Sequence, residues 1–470
     1  MEYLSKLPDL KSKVRVRFIL LTFSSVAIAW CLGYLLTQFT SMERPGIYMA
    51  SIFTLAGLLW VTEALPLFAT ALVIISLEII FISNPGEWAG LGVMAGANPD
   101  FRTFLNPLSD PIIILFLGGF ILAQASVKEG IDKALASQIL KIFGGNPRVV
   151  LLGLMTITCV FSMWMSNTAT TAMMITLAAP LASQIPSGDP FGKSLVLSIP
   201  FAANIGGMGT PIASPPNAVA VAFLKNVGIQ VSFLEWMMVA IPLVIVLLLV
   251  TWVLLWHLYK PSGSFKLATE THTINSRGYF VMVIFSATIL LWMTDRWHGL
   301  PTAVVALLPV VAFTTTGIIR RSDVNSLEWH ILILIAGGIA LGLGLNVTGL
   351  DSVIVNLIPQ DNAIIFPLMI VSTILLSTFM SNTAASNLLI PLGISFAIGL
   401  EQQALAKEIG VGIALAASAA MSLPISTPPN AIAYAKGVLS SKDFSKAGVL
   451  VGLVTVILIL GARFLWQLLF

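Results

Sequence analysis

Charge is what this chain has least of. Only 10% of its 470 residues are Asp, Glu, Lys or Arg, 57% are hydrophobic, and the mean hydropathy is +0.95. Such a chain cannot hide its apolar surface in a water-soluble globule, so the composition gives a polytopic membrane protein built of helices. Cysteine is as sparse: Cys31 and Cys159 both lie in apolar stretches without metal-ligand spacing, which excludes a disulfide framework. The four histidines, His257, His272, His298 and His330, stand far apart and give no metal cluster. The net charge of +3 is scattered over loops with no basic stripe among aromatics, so nucleic acid is excluded as a partner. Gly118-Gly119 and Gly337-Gly338 lack the Lys-Ser/Thr of a phosphate-cradling loop, so ATP-driven transport has no motif and no organic cofactor is expected. No nucleophile, base or metal constellation supports an enzyme.

The apolar runs, by contrast, are long. Spans are expected near 18–38, 46–62, 65–82, 111–126, 190–224 (interrupted), 236–257, 279–294, 300–318, 330–345, 408–436 (interrupted) and 447–468. Two further segments, 148–183 and 363–400, each hold two apolar runs too short to cross the bilayer, joined by a polar tip, and read as re-entrant hairpins. Lys and Arg positions alternate with these crossings. Only Arg44, Arg102, Lys225, Arg296, Lys407 and Arg463 fall outside, leaving eighteen of the 24 basic residues inside. This predicts eleven spans, a cytoplasmic N-terminus with an uncleaved first helix, and an external C-terminus.

The hairpin tips repeat. Met165-Ser166-Asn167-Thr168 returns as Met380-Ser381-Asn382-Thr383, and five intervening spans place the two copies on hairpins entering from opposite sides. Leu117-Gly118-Gly119-Phe120 with Glu129-Gly130-Ile131-Asp132 is matched by Ala336-Gly337-Gly338-Ile339 with Thr348-Gly349-Leu350-Asp351. Ser214-Pro215-Pro216-Asn217-Ala218 is matched by Thr427-Pro428-Pro429-Asn430-Ala431. The chain therefore reads as 1–44 with the first helix, an inverted repeat over 45–257, a linker over 258–277 and a second repeat over 278–470.

Each matched element carries chemistry. A Pro-Pro pair inside an apolar span removes two backbone donors and breaks the helix, which lipid tolerates only where the freed groups line a cavity or a ligand. Ser and Asn oxygens are neutral donors for an alkali cation, whereas the Asn NH2 and Thr hydroxyl can donate to a carboxylate. Helix N-termini at the tips favour anions. From Cys159 to Leu224 the only charged residues are Asp189 and Lys193, and from Thr373 to Ala435 only Glu401, Lys407 and Glu408. Tips free of charge leave no relay for a proton pump, and sodium fills the gap. Glu63 and Glu78 read as helix-end or interhelical groups.

The paired tips and paired breaks resemble the divalent anion/sodium symporter family, whose members carry citrate, C4-dicarboxylates or sulfate. The resemblance covers nearly the whole chain. It implies eleven transmembrane helices plus two opposed hairpins, and a homodimer with a scaffold domain and a transport domain that moves as an elevator. It implies sodium at Ser162, Ser166, Asn167 and Gly209, with a symmetry mate at Ser377, Ser381, Asn382 and Ser426. It places substrate carboxylates at Asn167, Thr168, Asn382 and Thr383, aided by Thr210, Ser214, Thr427 and Pro428. The expected function is sodium-coupled symport of di- or tricarboxylates in a bacterial plasma membrane. Sodium-independent exchange and sulfate transport remain the alternatives within the family, and a passive channel the alternative outside it.

Overall fold

The structure is a computed structural model, and it describes residues 7–40, 42–83, 99–143, 146–186, 188–262, 274–357 and 362–469. The protein is all-helical and membrane-embedded. In order the helices are α1 (Leu7–Phe39), α2 (Arg44–Thr62), α3 (Leu67–Phe81), α4 (Pro111–Lys128), α5 (Ile131–Phe143), α6 (Pro147–Ser162), α7 (Asn167–Ala182), α8 (Phe191–Gly206), α9 (Pro215–Asn226) and α10 (Phe233–Leu258). They continue with α11 (Ser276–Met293), α12 (Leu307–Thr315), α13 (Trp329–Val347), α14 (Leu350–Leu357), α15 (Asn362–Phe379), α16 (Asn382–Gly399), α17 (Gln403–Ala419), α18 (Pro428–Tyr434) and α19 (Ser441–Leu469).

Among the described residues, seven helices are long and apolar enough to cross a membrane. Four of the eleven expected spans fall outside that set, for visible reasons. α3 has 15 residues, short for a crossing. The span at 300–318 begins as Thr302–Val305 and resumes as α12, where Pro309 cannot donate to Val305. The other two are broken: α8 stops at Gly206 and α9 starts at Pro215, while α17 stops at Ala419 and α18 starts at Pro428. Proline at the first helical position starts each second half, since its missing N–H would have no intrahelical partner there.

Side-chain caps set other starts: Asp110 accepts from the Ile112 N–H ahead of α4, Asn146 from Arg148 ahead of α6, and Ser232 forms a capping box with Glu235. The matched Gly130 and Gly349 sit at φ +68° and +67°, a left-handed geometry that ends the preceding span and turns the chain into α5 and α14. Those two amphipathic helices lie between the expected spans and hairpins, and are too short and too polar on one face to cross the membrane. Glu63 ends α2 at φ 49°, and Glu78 lies buried between α3 and α13 beside Gly344.

The helices pack as two assemblies. α1 lies on α2, α2 on α3, α3 on α13, and α4 on α11 and α12. In the second assembly α8 packs on both helices of the first hairpin (α6, α7), and α17 on both of the second (α15, α16). The breaks cross over: α9 packs on α16 and α18 on α7, so the second half of each broken helix lies against the other repeat's hairpin. At one end Asp443 binds Lys193 (3.1 Å) and the Tyr259 hydroxyl (2.8 Å); Arg296 and Glu235 pair elsewhere at 2.6 Å. The basic residues in these clusters fall on opposite sides in the charge-alternation scheme as well.

Candidate functional site

The first tip is built by a helix ending and another beginning. α6 closes at Ser162, and Ser166 caps α7 by accepting from the Ala169 N–H at 3.2 Å. Ser162 is fully buried, and its hydroxyl lies 2.8 Å from both the Asn167 Oδ1 and the Ala203 carbonyl oxygen. Asn167 thus faces the broken span, and Gly207 lets it in: a Cβ at Gly207 would stand 2.7 Å from the Asn167 Cγ. Thr168 is half-buried beside it.

The break is fastened to this tip. Thr210 donates its hydroxyl to the Met163 carbonyl. A Cβ at Gly209 would meet the Met163 Cγ at 2.8 Å, so the unwound backbone lies directly on the hairpin. Asn217 spans the break, with its Nδ2 donating to the Gly207 and Thr210 carbonyls, each at 2.8 Å. Ser214 is buried and extended, makes no cap bond, and its Oγ has no partner; the Asn217 Oδ1 also has none.

In the second half, Ser377 donates to the Ala417 carbonyl at 3.0 Å, as Ser162 does to Ala203. Ser381 precedes α16 without a side-chain cap bond. The Asn382 Oδ1 accepts from the Thr383 N–H at 2.9 Å, and both residues are buried. Asn430 takes the place of Asn217, donating to the Met421 and Leu423 carbonyls, each at 2.9 Å. Thr427 caps α18 ahead of Pro428, and Ser426 donates to the Leu423 carbonyl.

These bonds sort the side chains by what they still offer. Ser377, Thr210 and Ser426 have committed their protons to carbonyls, leaving lone pairs that suit a cation. Among the described residues no hydrogen bond engages the Nδ2 of Asn167 or Asn382, so both amides offer donors that suit a carboxylate. The structure brings Ser162, Asn167, Gly209 and Thr210 together, and Ser426 and Thr427 together; no hydrogen bond joins the two tips among the described residues.

Two residues escaped the sequence reading. Asn204 on α8 is buried and donates to the Thr427 Oγ1 (3.1 Å) and the Asn430 Oδ1 (3.2 Å), which ties the two breaks directly; its own Oδ1 has no partner. Glu328, just before α13, accepts from the Ser166 hydroxyl at 3.3 Å. The expectation that both tips stand free of charge therefore fails at the first one, because the carboxylate arrives from 162 residues away in sequence. Burial pushes the Glu328 carboxyl above its ordinary range, opposed by the Ser166 hydrogen bond and by nearby His330.

A family model described as a citrate transporter, CitMHS, matches residues 57–411. The chain belongs to that family. As a citrate-transporter-family member it is a membrane transporter and not an enzyme. An uncharacterized transporter of Haemophilus influenzae is 32% identical over 435 residues, covering 87% of this chain and 89% of that protein. The sodium-dependent dicarboxylate transporter SdcS of Staphylococcus aureus (strain USA300) is 30% identical over 461 residues, 88% of this chain and 85% of that one. The inorganic phosphate transporter PHO87 of Saccharomyces cerevisiae is 32% identical over 387 residues, 80% of this chain but only 41% of that protein. Among solved structures, the Alcanivorax borkumensis YdaH transporter aligns with TM-score 0.54 at 13% identity, over 87% of this chain and 98% of that one. Neisseria gonorrhoeae MtrF, from a class of antimetabolite efflux pumps, aligns with TM-score 0.50 at 11% identity, over 86% and 94%. The fold is shared with both.

Proposed function

We propose that the protein is a sodium-coupled symporter of di- or tricarboxylates in a bacterial plasma membrane, with its N-terminus cytoplasmic and its C-terminus outside. The observation that carries this reading is the division of labour at the tips and breaks: hydroxyls whose protons are already given stand beside carboxamides whose NH2 groups are free to donate and whose oxygens keep a lone pair. Sodium is held by neutral oxygens of Ser162, Ser166, Asn167 and Gly209, and at the second site by Ser377, Ser381, Asn382 and Ser426. The bound cations make the neighbourhood electropositive, and the amides of Asn167 and Asn382, with Thr168 and Thr383, take the substrate carboxylates. Ser214, Thr427 and the Pro428 terminus support them from the breaks. Thr210, whose proton is already given to Met163, offers its oxygen to the cation and not to the carboxylate.

The two helix assemblies act as scaffold and transport domain. The first (α1–α4, α11–α13) stays fixed in a homodimer, and the second carries the hairpins and breaks across the membrane as an elevator. SdcS, a sodium-dependent dicarboxylate transporter over most of this chain's length, supports both substrate class and coupling. The phosphate named for the yeast relative favours a second reading, in which a tetrahedral oxyanion fills the same amides.

Labelled succinate uptake into proteoliposomes decides among them, with sodium or choline outside and citrate, sulfate and inorganic phosphate as competitors. The symport reading expects concentrative uptake that sodium drives and citrate or a C4-dicarboxylate blocks. Uptake indifferent to choline replacement but dependent on internal counter-substrate defeats symport in favour of exchange. Competition by phosphate alone defeats the carboxylate reading.

A further inference from the structure

Asn204 does more than tie the two breaks together. The Nδ2 of Asn430 donates to the Met421 and Leu423 carbonyls, each at 2.9 Å, which leaves its Oδ1 for Asn204. That oxygen can only accept, so Asn204 presents its own Nδ2 there, at 3.2 Å. The same Nδ2 donates to the Thr427 Oγ1 at 3.1 Å, and the Asn430 N–H reaches that Oγ1 at 3.3 Å to cap α18. A threonine hydroxyl has two lone pairs and one proton. Both lone pairs of Thr427 are therefore taken, while among the described residues its proton meets no acceptor. All three residues are buried, so bulk water does not share these bonds.

The first break has no such arrangement. Ser214, the counterpart of Thr427, has no partner for its Oγ, and neither has the Oδ1 of Asn217, the counterpart of Asn430. Ala417 stands where the counterpart of Asn204 falls, at the spacing that pairs Ser214 with Thr427. A free hydroxyl can turn either a lone pair or its proton to a ligand, whereas one whose lone pairs are filled can only donate.

We infer that Asn204 is a positioning residue for the substrate: by filling the acceptor capacity of Thr427 it makes that hydroxyl a dedicated donor, so the second break takes an oxyanion oxygen and not a cation. This rests on the reading of Thr427 as a substrate residue. Asn204 acts through Thr427 and not by contact with the ligand. It lies in the first repeat and Thr427 in the second, so one half of the chain sets what the other half's hydroxyl can bind.

The test reads the half-saturating succinate concentration of the full chain in proteoliposomes, with sodium outside, for N204L, T427V and the double variant. N204L keeps the shape of asparagine without its donor, and Asn430 retains its bonds to the Met421 and Leu423 carbonyls, so the break stays tied. N204L should raise the half-saturating concentration about tenfold, the worth of one hydrogen bond to a charged oxygen. Added to T427V, which has no hydroxyl to direct, it should change the value by less than about twofold; added to T427S, which keeps the hydroxyl, it should again cost about tenfold. A second readout needs no transport: the sodium concentration that half-maximally raises the unfolding midpoint in detergent, without carboxylate, should stay within about twofold of the wild type in N204L. A purely structural role, which would loosen Ser426 together with Thr427, moves the sodium and succinate values alike, and that outcome overturns the proposal. So does an N204L that half-saturates as the wild type does, or whose effect persists in full on T427V. Should N204L fail to assemble, N204A removes the same donor with less bulk and carries the same predictions. A T427V that half-saturates as the wild type does removes Thr427 from the substrate site and this proposal with it. A wild type that takes up neither succinate, citrate nor phosphate overturns the transport reading as a whole.

Discussion

The two hairpin tips share four letters and the serine bond to the broken helix, but differ in the bonding of their asparagines. The first is stitched to its own break: Ser162 reaches the Ala203 carbonyl, Thr210 holds Met163, and Gly207 admits the Asn167 amide. It also faces a cavity and a carboxylate. At the second tip the Asn382 side chain bonds to its own neighbour Thr383, while its break is held by Asn204 from the other half. Asn382 and Thr383 lie 7% and 6% exposed, with α16 packed on α2, α13 and α14. A repeated sequence in one arrangement puts its two copies in different surroundings, as the proposed alternating cycle requires.

The sharpest way to break the comparison is at Gly207. G207A drives a methyl group into Asn167, and overpacking of this kind costs about 1–3 kcal/mol, so labelled succinate uptake should fall by roughly ten- to a hundredfold at unchanged expression. Ala420, the matching position of the second break two residues beyond Ser418, already carries a side chain, and A420G should leave uptake within about twofold.

Next come the asparagines themselves. N167A and N382A should both abolish uptake, but only N167A also removes a side-chain bond from the tip asparagine to the preceding hairpin helix, worth about 1 kcal/mol. Thermal unfolding in detergent should show a lower midpoint for N167A than for N382A; equal midpoints would deny the asymmetry. Wild-type uptake by both variants would sink the site altogether.

Smaller effects separate the two breaks. T427A removes a cap and the acceptor for Asn204, a loss of about 1–2 kcal/mol, visible as a lower unfolding midpoint. S214A removes an oxygen that bonds nothing, so the midpoint should hold within about 0.5 kcal/mol. Its signature should instead be a raised half-saturating succinate concentration in uptake, and an unchanged succinate curve would remove Ser214 from the substrate site.

Much of this was legible in the residues. Capping serines, paired prolines and apolar run lengths are local signals, and the helices α6, α7, α15 and α16 lie where those signals fell. Glu328 and Asn204 were not legible, since their partners lie 162 and 223 residues away, and nothing in either neighbourhood marks them. Periodicity also passed over α5 and α14, whose 13 and 8 residues have one polar face and do not resemble spans. Bond direction, which decided that Thr210 offers only lone pairs, is a property of folded geometry that no sequence motif encodes.

The glycine bends at Gly130 and Gly349 turn those overlooked helices into leashes. Each runs from a span toward a hairpin: α5 from α4 to α6, and α14 from α13 toward α15. At 1.5 Å per residue the first arm reaches on the order of 20 Å and the second on the order of 12 Å. If the hairpins travel as proposed, the helical arm of the second is the shorter of the two, eight residues against thirteen, and it would be the first to limit the movement.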